Sequence, residues 1–271
     1  MSLCVKCENL QRSGSFKFRG ALNAVLRLTP AQRRQGVITH SSGNHGAALA
    51  AVAQELGIPA TIVVPRDASS FKRAAIKRYG GKIVTCGPTL AARETTLARV
   101  QAASGAHFIP PYDHPAIIAG QGTAALEILE QDPDVDEIWM PVGGGGLAAG
   151  SVVSARDHVQ LVGAEPRLAR DAFDSLRLGE RQPALPPRTA ADGLRTALGE
   201  LNFRLLNDYR LPIHLVSERD ITAAQRLAMA CLKLLIEPSS AVPIAALLKY
   251  GAYRPQSRRV AIIVTGGNLE L

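Results

Sequence analysis

Long apolar runs are missing from this chain. No stretch approaches the roughly 20 consecutive apolar residues that span a bilayer, so the sequence excludes a helical membrane protein. Aromatic residues are scarce, at 4%, while 46% of the 271 residues are hydrophobic, so the core must be built from Ala, Leu, Val and Ile. Cysteine is limited to positions 4, 7, 86 and 231. Cys4-Val5-Lys6-Cys7 has redox or zinc spacing, but no second CxxC or nearby His completes a tetrahedral set. The segment also reads as a strand, on which residues three apart face opposite sides, so ordinary reduced thiols are expected. Met1-Ser2-Leu3-Cys4-Val5-Lys6 lacks the charged-then-apolar pattern of a signal peptide, and the expected compartment is the cytoplasm.

Clustered basic residues interleaved with aromatics are absent too, although the net charge is +8. Arg33-Arg34 and Arg258-Arg259 are only short pairs. A solvated basic surface that attracts anionic ligands is favoured over a nucleic-acid partner. Neither GxxxxGK[ST] nor GxGxxG with an acidic ribose ligand occurs, so ATP and NAD sites are poorly supported. There is no internal repeat and no low-complexity tract.

What is present is an alternation of strand-like and helix-like segments. Gly36–Thr39, Ala60–Val64, Lys82–Cys86 and Ala106–Ile109 read as strands, with helices over Asn44–Leu56, Ser70–Tyr79 and Thr89–Ala103 between them. The rhythm resumes with a helix over Ala116–Gln131, a strand over Glu137–Val142, a helix over Leu147–Ala155 and a strand over Gln160–Ala164. Ser217–Asp220 has capping-box spacing before a helix through Leu234. Pro238–Leu248 reads as a helix and Arg259–Val264 as a closing buried strand. Repeated βαβ implies α/β architecture, with parallel sheet covered on both faces. The three prolines of Arg181–Arg188 mark a surface connection.

Three segments carry chemistry. Ser13-Gly14-Ser15-Phe16-Lys17-Phe18-Arg19-Gly20 puts a lysine at a turn-to-helix junction. A lysine bonds an aldehyde only when unprotonated, which calls for burial or neighbouring positive charge. Taken alone, the segment reads as an ordinary surface helix lysine. Gly143-Gly144-Gly145-Gly146 follows a strand and opens a helix, where residues without Cβ let N–H groups converge on an anion. A phosphate cup is favoured there over a flexible loop. Ser41-Ser42-Gly43-Asn44-His45-Gly46 joins strand to helix with hydroxyls, an amide and free N–H groups. It suits a substrate carboxylate or a cofactor hydroxyl, and is compatible with a helix cap from Ser42 or Asn44. Thr265, in Val264-Thr265-Gly266-Gly267-Asn268, lies beyond a strand's carboxyl end, where ligands of open α/β sheets gather, although a plain turn is as good a local reading.

Together with Ile118-Ala119-Gly120-Gln121-Gly122-Thr123, these motifs resemble the fold-type II pyridoxal-phosphate enzymes, in particular serine/threonine dehydratases and serine racemases. The resemblance covers essentially the whole chain. It implies two open, mainly parallel sheets with helices on both faces, as in the tryptophan synthase β fold. Residues 1–35 and 113–271 would form a large cofactor-binding domain and residues 36–112 a small domain closing over substrate, with the cofactor in the cleft. Lys17 falls on the lysine that bonds pyridoxal 5'-phosphate and serves as base. Phe16 and Gly193 fall on positions flanking the ring, and Asn44 on the ligand of the ring 3-hydroxyl. Gly143, Gly144, Gly145, Gly146 and Leu147 fall on the phosphate loop. Thr265 falls on the partner of the pyridine nitrogen. Ser41, Ser42, His45 and Arg93 fall on substrate-side positions, with Ser42 at the second acid/base of racemases.

Glu165, the Ala169 carbonyl and Asp171 fall on a divalent-cation site, suited to Mg²⁺ or Ca²⁺. Without the resemblance, Glu165 and Asp171 read as two loop carboxylates. The implied reaction is β-elimination from L-threonine or L-serine, giving a 2-oxo acid and ammonia, in a homodimer or homotetramer. Serine racemisation, β-replacement with a second nucleophile, and a truncated cofactor-binding relative without turnover are the alternatives. Relatives usually carry several tens more residues before the first strand. With no regulatory domain after Leu271, the chain resembles the short, catabolic-type dehydratases.

Overall fold

The computed structural model describes residues 2–41, 43–186, 188–251 and 258–270. Its Cα packing separates two compact units, Lys17–Pro111 and Met1–Phe16 with Tyr112–Leu269. Strand β1 (Ser2–Cys7) opens the chain in the larger unit. The smaller unit follows as α1 (Lys17–Leu26), α2 (Pro30–Gln35), β2 (Val37–His40), α3 (Asn44–Leu56), β3 (Ala60–Pro65), α4 (Ser70–Arg78), β4 (Lys82–Cys86), α5 (Leu90–Ser104) and β5 (His107–Phe108). The chain then completes the larger unit with α6 (Pro115–Gln131), β6 (Glu137–Pro141), α7 (Gly146–Ala155), β7 (Gln160–Pro166), α8 (Asp171–Leu178), α9 (Glu200–Tyr209), β8 (Ile213–Val216), α10 (Glu218–Leu232), α11 (Pro238–Tyr250) and β9 (Arg259–Val264).

The smaller unit holds a four-stranded sheet in the order β4-β3-β2-β5 with parallel pairing throughout. Helix α1 packs on α3, so residues 17–35 group with this unit. The α3 sequence NHGAALAAVAQEL has five alanines and a glycine among its 13 residues, and nine of its positions are buried. Gly57 ends it in the left-handed conformation at φ +64, which a residue without Cβ adopts at little cost. Among the described residues no side chain caps this helix: Gly43 holds the cap position and Asn44 is already helical, contrary to the cap expected from Asn44. Ser42, the other expected cap, lies outside the described residues. Thr29 and Gln32 form a reciprocal capping box that starts α2, with Pro30 at the first position.

The larger unit is a five-stranded sheet, ordered β1-β9-β6-β7-β8, again parallel. Ile138, Trp139, Met140, Leu161, Val162, Ile262 and Ile263 of its central strands are fully buried. Each such side chain contributes about 1.5–3 kcal/mol of burial free energy. Helices α6 and α7 cross closely because glycines meet. A Cβ on Gly150 would lie 2.3 Å from the Ile118 carbonyl oxygen, and one on Gly122 2.5 Å from that of Gly150. The expected capping box, Ser217 with Asp220, starts α10. The described residues of 181–188 form no helix or strand and are mostly exposed. No helix among the described residues is long and apolar enough to cross a membrane. The four cysteines are free thiols. Arg258 pairs with buried Glu137, and Arg259 with Asp132.

Candidate cofactor-binding and active site

In the larger unit, the candidate residues form one connected set. Strand β6 delivers the chain into Gly143–Gly146, all buried, and α7 begins at Gly146. Gly145 sits at φ +87, a conformation open to glycine. The run has no room for side chains. A Cβ on Gly144 would lie 2.5 Å from the Tyr112 ring, and one on Gly145 2.5 Å from Leu198 Cδ1. The Gly144 carbonyl is turned into the protein, accepting from Gly199 N at 3.1 Å and Asn202 Nδ2 at 2.7 Å. The first N–H groups of α7 have no acceptor within the helix, and the helix dipole adds favourable potential for an anion at that end. This backbone fits a phosphate.

Gly143 abuts Gly193 and Leu194: its Cβ would lie 3.3 Å from the Gly193 carbonyl oxygen. Gly193 N donates to Ser239 Oγ at 3.1 Å. The next residue of α11, Ser240, touches Thr265 Oγ1 at 3.1 Å and both backbone groups of Gly266 at 2.8 Å. Thr265 is 1% exposed, and its carbonyl accepts from Phe16 N at 3.0 Å. Glycine run, Gly193, Thr265 and Phe16 are thereby joined through hydrogen bonds and close backbone contact.

The smaller unit gathers a second set around one stretch of backbone. Lys17, the first residue of α1, donates from Nζ to the Pro111 carbonyl at 2.9 Å. His45, 2% exposed near the start of α3, places Nε2 at 3.0 Å from the Ile109 carbonyl. A carbonyl only accepts, so Nε2 carries the hydrogen and Nδ1 is left as an acceptor. Burial, and then the Lys17 charge, hold the His45 pKa down at about 3, so its ring is neutral. Gly46 is required beside it, since a Cβ there would lie 2.3 Å from the Ser41 carbonyl oxygen. Ser41 Oγ accepts from Gly43 N at 3.3 Å, shaping the loop that leads to Asn44. Arg93 stands on α5 and donates to the Pro88 carbonyl at 3.2 Å. Its charge acts on His40, beside Ser41. Ser42 lies outside the described residues.

Glu165 and Asp171 are a buried acidic pair in the larger unit. Glu165, in β7, accepts from Ala172 N at 3.2 Å and Phe173 N at 2.7 Å. Asp171, heading α8, accepts from Leu198 N at 2.8 Å. Burial, and then the Asp171 charge, push the Glu165 pKa well up, and burial pushes Asp171 up to about 6. Two desolvated carboxylates, with the buried Ala169 between them in sequence, are hard-oxygen donors of the kind that would suit a divalent cation. Among the described residues no group of three or more His, Cys, Asp or Glu could hold a metal, so a cation here would rely on the Ala169 carbonyl or water as well.

Three contributors escape sequence reasoning. Asp113 accepts from Glu200 N at 2.8 Å and Leu201 N at 3.0 Å, capping α9 from 87 and 88 positions away. Asn202, on α9, holds the Gly144 carbonyl, and Ser240 holds Thr265. No local pattern marks any of them.

A parallel α/β scaffold with a buried glycine run at a helix start and a half-buried lysine at another defines a cofactor-dependent enzyme class. Residues 1–266 match the family model described as pyridoxal-phosphate dependent enzyme, and the chain belongs to that family. It is 42% identical over 275 residues to the β-hydroxyaspartate dehydratase of Paracoccus denitrificans (strain Pd 1222), covering 99% of this chain and 86% of that protein. The crystal structure of serine racemase from Dictyostelium discoideum superimposes with a TM-score of 0.93 at 41% identity, covering 99% of this chain and 88% of that one. The maize serine racemase structure gives a TM-score of 0.96 at 40% identity, covering 99% of this chain and 84% of that one. The two-sheet architecture is that of these fold-type II structures.

Proposed function

We propose that this chain is a pyridoxal-phosphate-dependent ammonia-lyase that converts L-serine or L-threonine, or a 3-hydroxyaspartate, to a 2-oxo acid and ammonia by β-elimination. The observation that carries the reading is the 42% identity, over 99% of the chain, to a protein named for dehydrating β-hydroxyaspartate. When bound, pyridoxal phosphate supplies an aldehyde and an electron-accepting ring that stabilises negative charge at a substrate Cα. The residues of this chain do the rest. The N–H groups of Gly143–Gly146 and Leu147 hold the phosphate. Phe16 and Gly193 flank the ring, Asn44 takes its 3-hydroxyl and Thr265 its nitrogen. Lys17 Nζ would hold the cofactor at its aldehyde carbon, and as a free amine it would take the substrate's Cα proton. Neutral His45 and the hydroxyl of Ser41 orient the substrate without adding charge, while Arg93 attracts its carboxylate. Glu165, the Ala169 carbonyl and Asp171 hold Mg²⁺ or Ca²⁺. The working form is a cytoplasmic homodimer or homotetramer.

Serine racemisation is the second reading, favoured by the 41% identity to the Dictyostelium serine racemase. In it, Ser42 returns a proton to the opposite face of Cα. Incubation with both enantiomers of serine, threonine and 3-hydroxyaspartate tests the two together. Pyruvate, 2-oxobutyrate or oxaloacetate with stoichiometric ammonia supports the lyase. Enantiomer interconversion without ammonia release replaces it with the racemase.

A further inference from the structure

A cavity of about 420 Å³ opens on the larger unit where α8, the end of α9 and the start of β8 meet. That volume falls within the range of about 300–1,000 Å³ usual for small-ligand sites. Phe173, Leu176 and Ile213 are half-buried in its lining, beside buried Leu211. Leu211 belongs to the core and Leu176 and Ile213 pack against it, so this apolar floor is fixed. The polar part of the lining is one-sided. Arg177, Arg210 and Asn207 contribute to it, and among the described residues no Asp or Glu does. Arg177 has Asp174 at 3.7 Å, but that carboxylate also takes Arg170 at 3.0 Å. Arg210 forms no ion pair among the described residues. It ends α9 at φ +57, a left-handed position that glycine fills at lower cost, so a guanidinium stands at this cavity where the backbone alone favours no side chain.

We propose that this cavity binds a small organic carboxylate that has a branched or aromatic apolar body and no ammonium group. The floor takes the body, and the two guanidiniums pair with the carboxylate. An ammonium would meet two cations and no acid, so the lining selects against a free amino acid. The net charge of +8 draws anions in the same direction. The site stands apart from the cofactor reading, since none of its lining belongs to the glycine run, Gly193, Thr265 or Phe16. One contact links it to the acidic pair. Phe173 N donates to Glu165 at 2.7 Å, so a ligand packed on the Phe173 ring touches a residue that anchors that carboxylate.

Calorimetric titration of the full chain, loaded with pyridoxal phosphate, with 4-methylpentanoate tests this. The probe has the body and the charge, but neither an amine nor a ketone with which to engage the cofactor or Lys17. Binding at one site per chain is expected. The alcohol 4-methylpentan-1-ol has the body without the charge, and acetate the charge without the body. Each is expected to bind at least about tenfold more weakly. Arg210→Gly relieves the left-handed backbone as it removes the charge, so it keeps the fold. It and Arg177→Gln are each expected to weaken 4-methylpentanoate binding about threefold, and added salt to act in the same direction. Absence of binding, equal binding of the alcohol, or the same affinity in wild type and both variants overturns the proposal. So does a changed sedimentation mass in Arg210→Gly, which would make this face a contact between copies of the chain.

Discussion

The Asn202 amide donates to the Gly144 carbonyl at 2.7 Å and holds it toward the protein interior. That contact, with Gly199 N on the same oxygen, fixes the peptide that precedes the left-handed Gly145. Asn202→Ala is expected to loosen this geometry and weaken phosphate capture by about 5- to 10-fold, the worth of one buried hydrogen bond. Titration with pyridoxal phosphate against phosphate-free pyridoxal is the check. Pyridoxal affinity is expected to stay within about twofold of wild type, so an equal loss for both ligands would place the effect elsewhere.

His45 predicts a pH dependence of stability. Its pKa is held at about 3 in the fold, below the usual value of 6.5, chiefly by burial. The unfolded chain therefore binds a proton that the folded one refuses. The sign is destabilising toward acid: no penalty above about pH 7, then a growing one from about pH 6.5 down to 3, near 1.4 kcal/mol per pH unit. Urea unfolding of wild type and His45→Asn between pH 7 and pH 5 measures it. The variant is expected to lose this part of the slope, and parallel curves would contradict the assignment.

Much of this was legible in the sequence. β4, α3 and β9 fall where the apolar runs put them, and the Ser217–Asp220 spacing yields the capping box. The elements that escape are those whose signals are not local. α2 is six residues long with no buried position, and α9 takes its cap from Asp113 and ends at Arg210, which adopts φ +57 where a glycine is expected. The glycine run is visible because its physical requirement, room for backbone and nothing else, leaves only one residue type. Asn202 and Ser240 are invisible for the opposite reason. Many residue types sit at such helix positions, and only the tertiary fold brings these two against Gly144 and Thr265.

Glu165 and Asp171 predict a cation effect that reaches the glycine run. Asp171 accepts from Leu198 N, and the adjoining Gly199 N donates to the Gly144 carbonyl. Millimolar Mg²⁺ or Ca²⁺ is expected to raise the melting temperature and tighten pyridoxal phosphate binding, with EDTA reversing both. Glu165→Gln removes the carboxylate and sets an amide N–H against one of its two backbone donors, Ala172 N or Phe173 N. It is expected to be about 1–3 kcal/mol less stable than wild type in EDTA and to gain nothing from added cation. A variant that still responds fully to Mg²⁺ and Ca²⁺ would move the cation site away from this pair.

The central claim is that the Lys17 amine, resting on the Pro111 carbonyl at 2.9 Å, is the group that bonds the cofactor. Borohydride reduction of the loaded protein followed by peptide mass mapping tests it most directly. The account predicts a phosphopyridoxyl group on Lys17 alone, and its loss together with the visible absorbance in Lys17→Ala. A label on another lysine, or an unchanged spectrum in that variant, would contradict it.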